Sequence, residues 1–120
     1  MSPILLAALI SVESSGNDLA KGDHGKALGP LQIHKTLVQD VNRIHKTRFE
    51  WQRMTNRSEA VAVFTLYVQT YAPNGSDEDI ARLWNSGPAY QQKRRATDLY
   101  WRKVRNAMNR LSHSNSFASK

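Results

Sequence analysis

The chain has 120 residues, 40% of them hydrophobic and 22% charged, a balance that fits one globular domain and excludes a wholly disordered chain. It contains no cysteine, which excludes disulfides and thiolate-bound zinc. A net charge of +7 favours anionic partners, namely nucleic acid, acidic membranes or a polyanionic cell wall, and does not choose among them.

The first predicted helix begins at the capping pair Ser2 and Pro3 and covers residues 3–12. It is apolar on nearly every side, which predicts burial on most of its faces. The apolar run is far shorter than the roughly 20 residues that a bilayer requires, and no basic residues precede it as in a secretory signal. We therefore expect a core helix that ends before Gly16, a natural left-handed cap.

Residues 17–34 are rich in glycine and poor in apolar positions, so they predict a loop that contains at most a short hairpin. Four more helices are expected at about residues 35–44, 57–72, 77–84 and 90–111. Asn56 and Glu59 form a predicted capping box for the second of these, and the last is strongly basic. The fold class is therefore mainly α, with a domain at residues 1–111 and a polar, disordered tail at residues 112–120.

Glu13 is the first candidate catalytic residue, because it directly follows the buried helix. Burial and the partial negative charge of a helix C-terminus both disfavour the ionised carboxylate and raise its pKa. A raised pKa suits a general acid that works near neutral pH. The alternative is that Glu13 simply points to solvent from the last turn.

The loop supplies a second group of candidates. Its glycines allow backbone to approach a ligand closely, and Gln32 lies between apolar neighbours, which predicts a partly buried, hydrogen-bonded amide. The alternative is a structural loop whose glycines only form turns.

Trp84 and Asn85 form a third group, in a predicted turn after a helix. An aromatic ring can stack on a sugar face while a neighbouring amide binds its acetamido or hydroxyl groups. A core tryptophan beside a capping asparagine is the alternative.

Together these segments resemble the motifs of soluble lytic transglycosylases and goose-type lysozymes. That family reads Glu-Ser, then Gly-Leu-Met-Gln with an aliphatic residue, then Ala-Tyr-Asn-x-Gly, then Tyr-Val-x-x-Val. The corresponding segments here are residues 9–14, 29–33, 84–87 and 100–104, in the same order. Each motif is short, so the resemblance depends on their shared order and spacing across residues 4–105.

The resemblance implies a lysozyme-like helical fold and cleavage of the β-1,4 bond between N-acetylmuramic acid and N-acetylglucosamine in peptidoglycan. By position, Glu13 is implied as the acid/base and Ser14 as its support. Gln32 and Asn85 are implied to contact sugar, Trp84 to stack on it, and Tyr100 to border the cleft.

The sequence departs from the family pattern at three positions: Pro30 replaces a leucine, Trp84 replaces a tyrosine, and His34 stands where some goose-type lysozymes carry an acid. The reaction therefore stays open. A transglycosylase needs one carboxylate, whereas an inverting hydrolase needs a second to activate water. Asp23 is the candidate for that second role, and its alternative role is that of a turn residue.

A basic helical domain that binds nucleic acid is the competing hypothesis, with the last helix as the binding element. It leaves Glu13, Gln32 and Asn85 unexplained, so we expect peptidoglycan strands as the partner, without nucleic acid binding or membrane insertion. We expect a monomer with no cofactor and no metal, since the four histidines show no metal-binding spacing. The place of action would be the cell wall, reached by a route that no visible signal peptide explains.

Overall fold

The computed structural model describes residues 1–118, and side-chain surroundings through residue 113. The described chain is mainly helical, with a small three-stranded sheet after the first helix, which confirms the predicted fold class and hairpin. The helices are α1 Pro3–Ser14, α2 Lys35–His45, α3 Arg57–Tyr71, α4 Asp77–Ser86 and α5 Arg94–Ala118; the strands are β1 Lys21–Gly22, β2 Ala27–Leu28 and β3 Ile33–His34.

The chain divides into two compact units. The first comprises Met1–Val12 together with the segment from Tyr71 onward, and the second is Glu13–Thr70. These units are defined by packing contacts alone and do not test the predicted catalytic domain at residues 1–111, which stays a prediction.

In the first unit, α1 buries Leu5, Ala8 and Leu9 completely, while Pro3 and Ala7 are exposed. Ile10 is buried as well, and every other residue of the helix is at least partly covered, so α1 is covered on most of its faces, as predicted. Of the segment predicted to be a helix at residues 90–111, residues 90–92 form a separate 3₁₀ turn.

Helix α4 starts at a capping box. The hydroxyl oxygen of Ser76 accepts from the backbone N–H of Asp79, and the Asp79 carboxylate accepts from the backbone N–H of Ser76, each at 3.1 Å. Gly87, with φ +90°, ends the helix. Helix α4 packs against α5, and both contribute buried apolar residues, including Leu83 and Val104.

Helix α5 continues to Ala118, beyond the predicted end at Leu111. Residues 111–118 contain neither glycine nor proline, the two residues that most strongly end a helix. Disorder of the tail stays a prediction, and residues 119–120 lie outside the described residues. No helix in the described part of the chain has the length and apolar character that crossing a membrane requires.

Arg82 is a buried cation on α4 that the sequence analysis did not single out; only 4% of its side chain is exposed. Its guanidinium donates to Glu78 at 2.9 Å and to Asp98 at 2.7 Å. It also donates to the carbonyl of Arg94 at 2.6 Å and to the hydroxyl of Thr97 at 2.8 Å. A buried charge is tolerated when it is paired in this way, so the network holds α4 to the start of α5.

These hydrogen bonds also shift the pKa values of Arg82 and Asp98. Burial of Arg82 lowers its pKa, but hydrogen bonds to Asp98 and Glu78 outweigh that effect and raise it. The hydrogen bond from Arg82 lowers the pKa of Asp98 below its ordinary value, against the opposing effect of desolvation.

We expect Asp98→Asn to destabilise the fold in a pH-dependent way. Because the folded pKa of Asp98 is lowered, its contribution is complete above the ordinary carboxyl pKa of 3.8 and is lost as the pH falls through the folded value. The difference in unfolding free energy between wild type and Asp98→Asn should therefore narrow on acidification, as measured by urea titration from neutral to acidic pH. A difference that does not change with pH would contradict this account.

In the second unit, the sheet order is β1-β2-β3 with antiparallel pairing throughout; Lys21 pairs with Leu28, and Leu28 pairs with Ile33. The turn between β1 and β2 is made by three consecutive residues with positive φ, Asp23, His24 and Gly25. The third strand was not predicted from the sequence, because two residues are too few to show an alternating pattern.

Helices α2 and α3 complete the second unit, with a 3₁₀ turn at Trp51–Thr55 between them. Val38 and Val41 are buried on α2. One of the two hydrogen bonds of the predicted α3 capping box is present: the Asn56 side-chain oxygen accepts from the backbone N–H of Glu59 at 3.0 Å. The Glu59 carboxylate binds Arg53 instead of completing the box.

Candidate functional site

Glu13 lies in the last turn of α1, at the C-terminal end of the helix as the sequence predicted, and its side chain is half-buried. The chain leaves the helix directly after Ser14, because Ser15 and Gly16 both adopt left-handed conformations, with φ of +54° and +81°. Glu13 is thus the last carboxylate before the glycine-rich loop. Its role as an acid stays a prediction.

Ser14 connects α1 to that loop. Its hydroxyl donates to the carbonyl oxygen of Pro30 at 2.9 Å, across 16 positions of sequence, and Pro30 itself is buried. The residue next to the candidate acid is therefore bonded to the segment 29–33. Two of the segments that carry the family resemblance meet at this hydrogen bond.

The side chain of Gln32 is hydrogen-bonded to other parts of the loop. Its amide nitrogen donates to the carbonyls of Ala20 at 3.2 Å and Gly29 at 3.0 Å, and its backbone has φ +53°. The predicted half-buried, hydrogen-bonded amide is confirmed. Both amide hydrogens serve the loop, so a sugar contact by Gln32 would fall to its side-chain oxygen as an acceptor.

Gly29 occupies a position that admits no side chain. Its φ is +81°, and a Cβ atom there would collide with the carbonyl oxygen of Met54. Its backbone N–H donates to the carbonyl of Ala20 at 2.8 Å. This glycine therefore allows the loop to pack directly onto the 3₁₀ turn, and it does more than form a turn.

Asp23 and His34 lie side by side, with 3.4 Å between the carboxylate oxygen of Asp23 and Nε2 of His34. Both side chains are about half exposed, at 55% and 47%. The Asp23 carbonyl also accepts from the N–H of Lys26 at 3.1 Å, which closes the hairpin turn. Asp23 therefore is a turn residue, and its carboxylate is in addition directed to His34; its role toward water stays open.

The residues from the later motifs belong to the first unit. Trp84 lies in α4, within the predicted helix 77–84, whereas Asn85, predicted to lie in the turn beyond it, also belongs to the last turn of α4 because that helix runs to Ser86. Trp84 is half-buried and Asn85 is exposed. Tyr100 is half-buried on α5. By contrast, Glu13 and the loop residues belong to the second unit.

Trp51 is a residue that the sequence analysis missed. Its indole N–H donates to the carbonyl of Ile33 at 2.8 Å, next to Gln32 in the chain. The signal available in the sequence was a tryptophan in a mostly polar stretch without a regular apolar spacing, which is too weak to select it. Its contact with the loop depends on folding.

No family model, curated protein or solved structure matches this chain. Within the part of the chain that the structure describes, no three histidine, aspartate or glutamate side chains converge as a metal site would require. The functional proposal therefore depends on the motif residues and their geometry alone.

Proposed function

We propose that this protein cleaves the β-1,4 glycosidic bond between N-acetylmuramic acid and N-acetylglucosamine in peptidoglycan, with Glu13 as the general acid. The observation that carries the proposal is the hydrogen bond from Ser14 to the carbonyl of Pro30. It joins the Glu-Ser segment to the Gly29 segment, so two motifs that resemble parts of one family site are adjacent in space.

The position of Glu13 supports acid chemistry. It is half-buried at a helix C-terminus, in a segment whose neighbour Ser14 is bonded to the loop. A carboxyl group held in this way can be aligned with the glycosidic oxygen, and alignment contributes much of the rate in such reactions. Glu13 would protonate the departing oxygen as the bond to the anomeric carbon breaks.

The loop and the later motifs supply the groups that recognise sugar. Gln32 would contribute an acceptor and the loop closely approaching backbone. By the family resemblance, taken residue by residue, Trp84 would stack on sugar, Asn85 would bind it by hydrogen bonds and Tyr100 would border the cleft. We propose these as substrate contacts because residues of this kind match both the chemistry of N-acetylated sugars and the family resemblance.

We favour transglycosylation over hydrolysis, because Glu13 is the only carboxylate within the four family motifs, although residues 22–25 around Asp23 resemble the goose-type pattern that supplies a second acid. After protonating the leaving oxygen, the Glu13 carboxylate would remove the proton from the muramyl 6-hydroxyl. That oxygen then closes on the anomeric carbon and forms a 1,6-anhydro ring. In the hydrolytic alternative, Asp23 would remove a proton from water that attacks the same carbon.

We expect Asp23→Asn to retain most of the activity and to keep anhydro products. Asparagine tolerates the left-handed backbone of this position, φ +50°, and preserves the turn. The check is mass spectrometry of digested peptidoglycan, where an anhydro end is lighter than a hydrolysed end by one water. Asp40→Asn, at an aspartate of the second unit that is paired with Arg43, serves as the control.

A severe loss of rate in Asp23→Asn with purely hydrolysed wild-type products would instead assign Asp23 to water activation. That result would overturn the transglycosylase preference and leave the proposed role of Glu13 intact.

We expect activity on intact cell walls to fall steeply with added salt, because the net charge of +7 attracts the enzyme to an anionic polymer through forces that salt screens. Cleavage of a short soluble substrate should change far less. The measurement is the initial rate on both substrates across a salt series. Equal sensitivity on both would show that the charge serves another partner.

A nucleic-acid-binding function is the second candidate, and one observation favours it. All seven lysines and arginines of the last helical segment are exposed: Lys93, Arg94, Arg95, Arg102, Lys103, Arg105 and Arg110. A mobility-shift assay with duplex DNA beside a clearing assay on peptidoglycan separates the two. A tight, salt-sensitive DNA complex without any clearing would favour this candidate.

A further inference from the structure

Trp51 lies at the border of two open depressions in the second unit. The first, of about 420 Å³, has the apolar side chains of Leu19, Leu28 and Trp51 in its lining. The second, of about 250 Å³, has the cationic side chains of Lys26 and Lys35 in its lining, again with Trp51. Two mostly apolar depressions, each with lysines in its lining, thus share one aromatic ring, and we call the pair the Trp51 site.

The ring is held in place before any ligand arrives. Its N–H is bonded to the carbonyl of Ile33, and the turn that carries it packs against β2 and β3. Trp51 is only half-buried, so part of the indole remains accessible. A fixed, partly exposed aromatic ring provides contact area at low entropic cost.

The charged residues that line the two depressions are all lysines. Lys21 lines the first depression, Lys26 and Lys35 line the second with His34, and neither lining includes a carboxylate. Among the ion pairs of residues 1–113, none engages these three lysines. The nearby carboxylate of Asp23 is already directed to His34. The site therefore complements an anionic ligand with an apolar part.

We propose that the Trp51 site binds the acidic peptide attached to the muramyl residue of peptidoglycan, an inference that rests on the proposed function. Such a peptide combines several carboxylates with short apolar side chains. Its carboxylates would meet Lys26 and Lys35, and its apolar side chains would contact the ring and the leucines. The bare N-acetylglucosamine polymer carries no carboxylate, so the site would make the enzyme prefer peptide-bearing strands.

The test is binding of a soluble N-acetylmuramyl peptide, which contains no bond between two sugars and so cannot be cleaved. We expect it to shift the Trp51 indole N–H resonance, while an N-acetylglucosamine oligomer leaves that resonance in place. The double variant Lys26→Gln with Lys35→Gln should weaken binding about tenfold, since each exposed charge pair contributes modestly. Both lysines are exposed, so the fold should persist.

The matched control is Lys93→Gln with Lys103→Gln, which removes the same charge from exposed positions outside the site. Binding that is unchanged in the Lys26 and Lys35 variant, or weakened equally in the control, overturns the proposal. So does an unshifted Trp51 resonance, or an equal shift by the glucosamine oligomer. Cleavage of peptidoglycan by the wild type is scored separately, so a failure of the proposed function is distinguishable from a failure of this site.

Discussion

Glu13→Gln should lose peptidoglycan clearing by about 100-fold or more while the protein stays folded. Glutamine has nearly the same shape as glutamate and preserves packing in the last turn of α1, but its amide cannot deliver a proton to the leaving oxygen. The measurements are the initial clearing rate and the thermal unfolding midpoint. A large loss of rate with an unchanged midpoint is the expected combination.

Glu50→Gln is the matched control, because Glu50 is an exposed carboxylate of the same unit that none of the family motifs includes. It should retain the wild-type rate. Appreciable clearing by a folded Glu13→Gln variant would remove Glu13 from the reaction. Equal losses in both variants would attribute the effect to charge rather than to proton transfer.

Gly29→Ala should destabilise the fold by about 2–5 kcal/mol, which combines the cost of a left-handed alanine with that of a forced steric overlap. The backbone of Met54 stands where the new Cβ would lie, and backbone cannot rotate aside as a flexible side chain can. Since Gly29 also fixes Gln32, activity should fall with stability. Urea unfolding measures the change.

Gly16→Ala isolates the conformational part of that cost. Gly16 has the same φ of +81°, but nothing lies within 4 Å of its added Cβ. It should lose only about 1–2 kcal/mol. If the two variants were equally stable, the contact between Gly29 and Met54 would not be what requires glycine there.

The helices were predictable because their signals are local. Apolar spacing and capping residues placed all five. Where partners are distant in sequence, prediction failed. Nothing in the sequence shows that Glu59 bonds Arg53 rather than completing a capping box, or that Arg82 binds Asp98 across α4 and α5.

The same distinction between local and distant partners applies to the candidate site. Glu13 was found from its place after an apolar helix, and the hydrogen-bonded state of Gln32 from its apolar neighbours. Ser14 bonding to Pro30, Asp23 facing His34 and Trp51 bonding to Ile33 all join segments that only folding brings together. A left-handed Gln32 has no signature in the sequence either, since non-glycine residues seldom adopt that conformation.

The most direct test of the central claim is mass spectrometry of purified peptidoglycan incubated with the wild-type protein and with Glu13→Gln. The account predicts that wild type releases disaccharide-peptide fragments cut between N-acetylmuramic acid and N-acetylglucosamine, ending in 1,6-anhydromuramic acid, and that Glu13→Gln releases almost none. Fragments with hydrolysed ends would show that the same bond is cut by hydrolysis rather than by transglycosylation. Undigested glycan strands after incubation with folded wild-type protein would contradict the account.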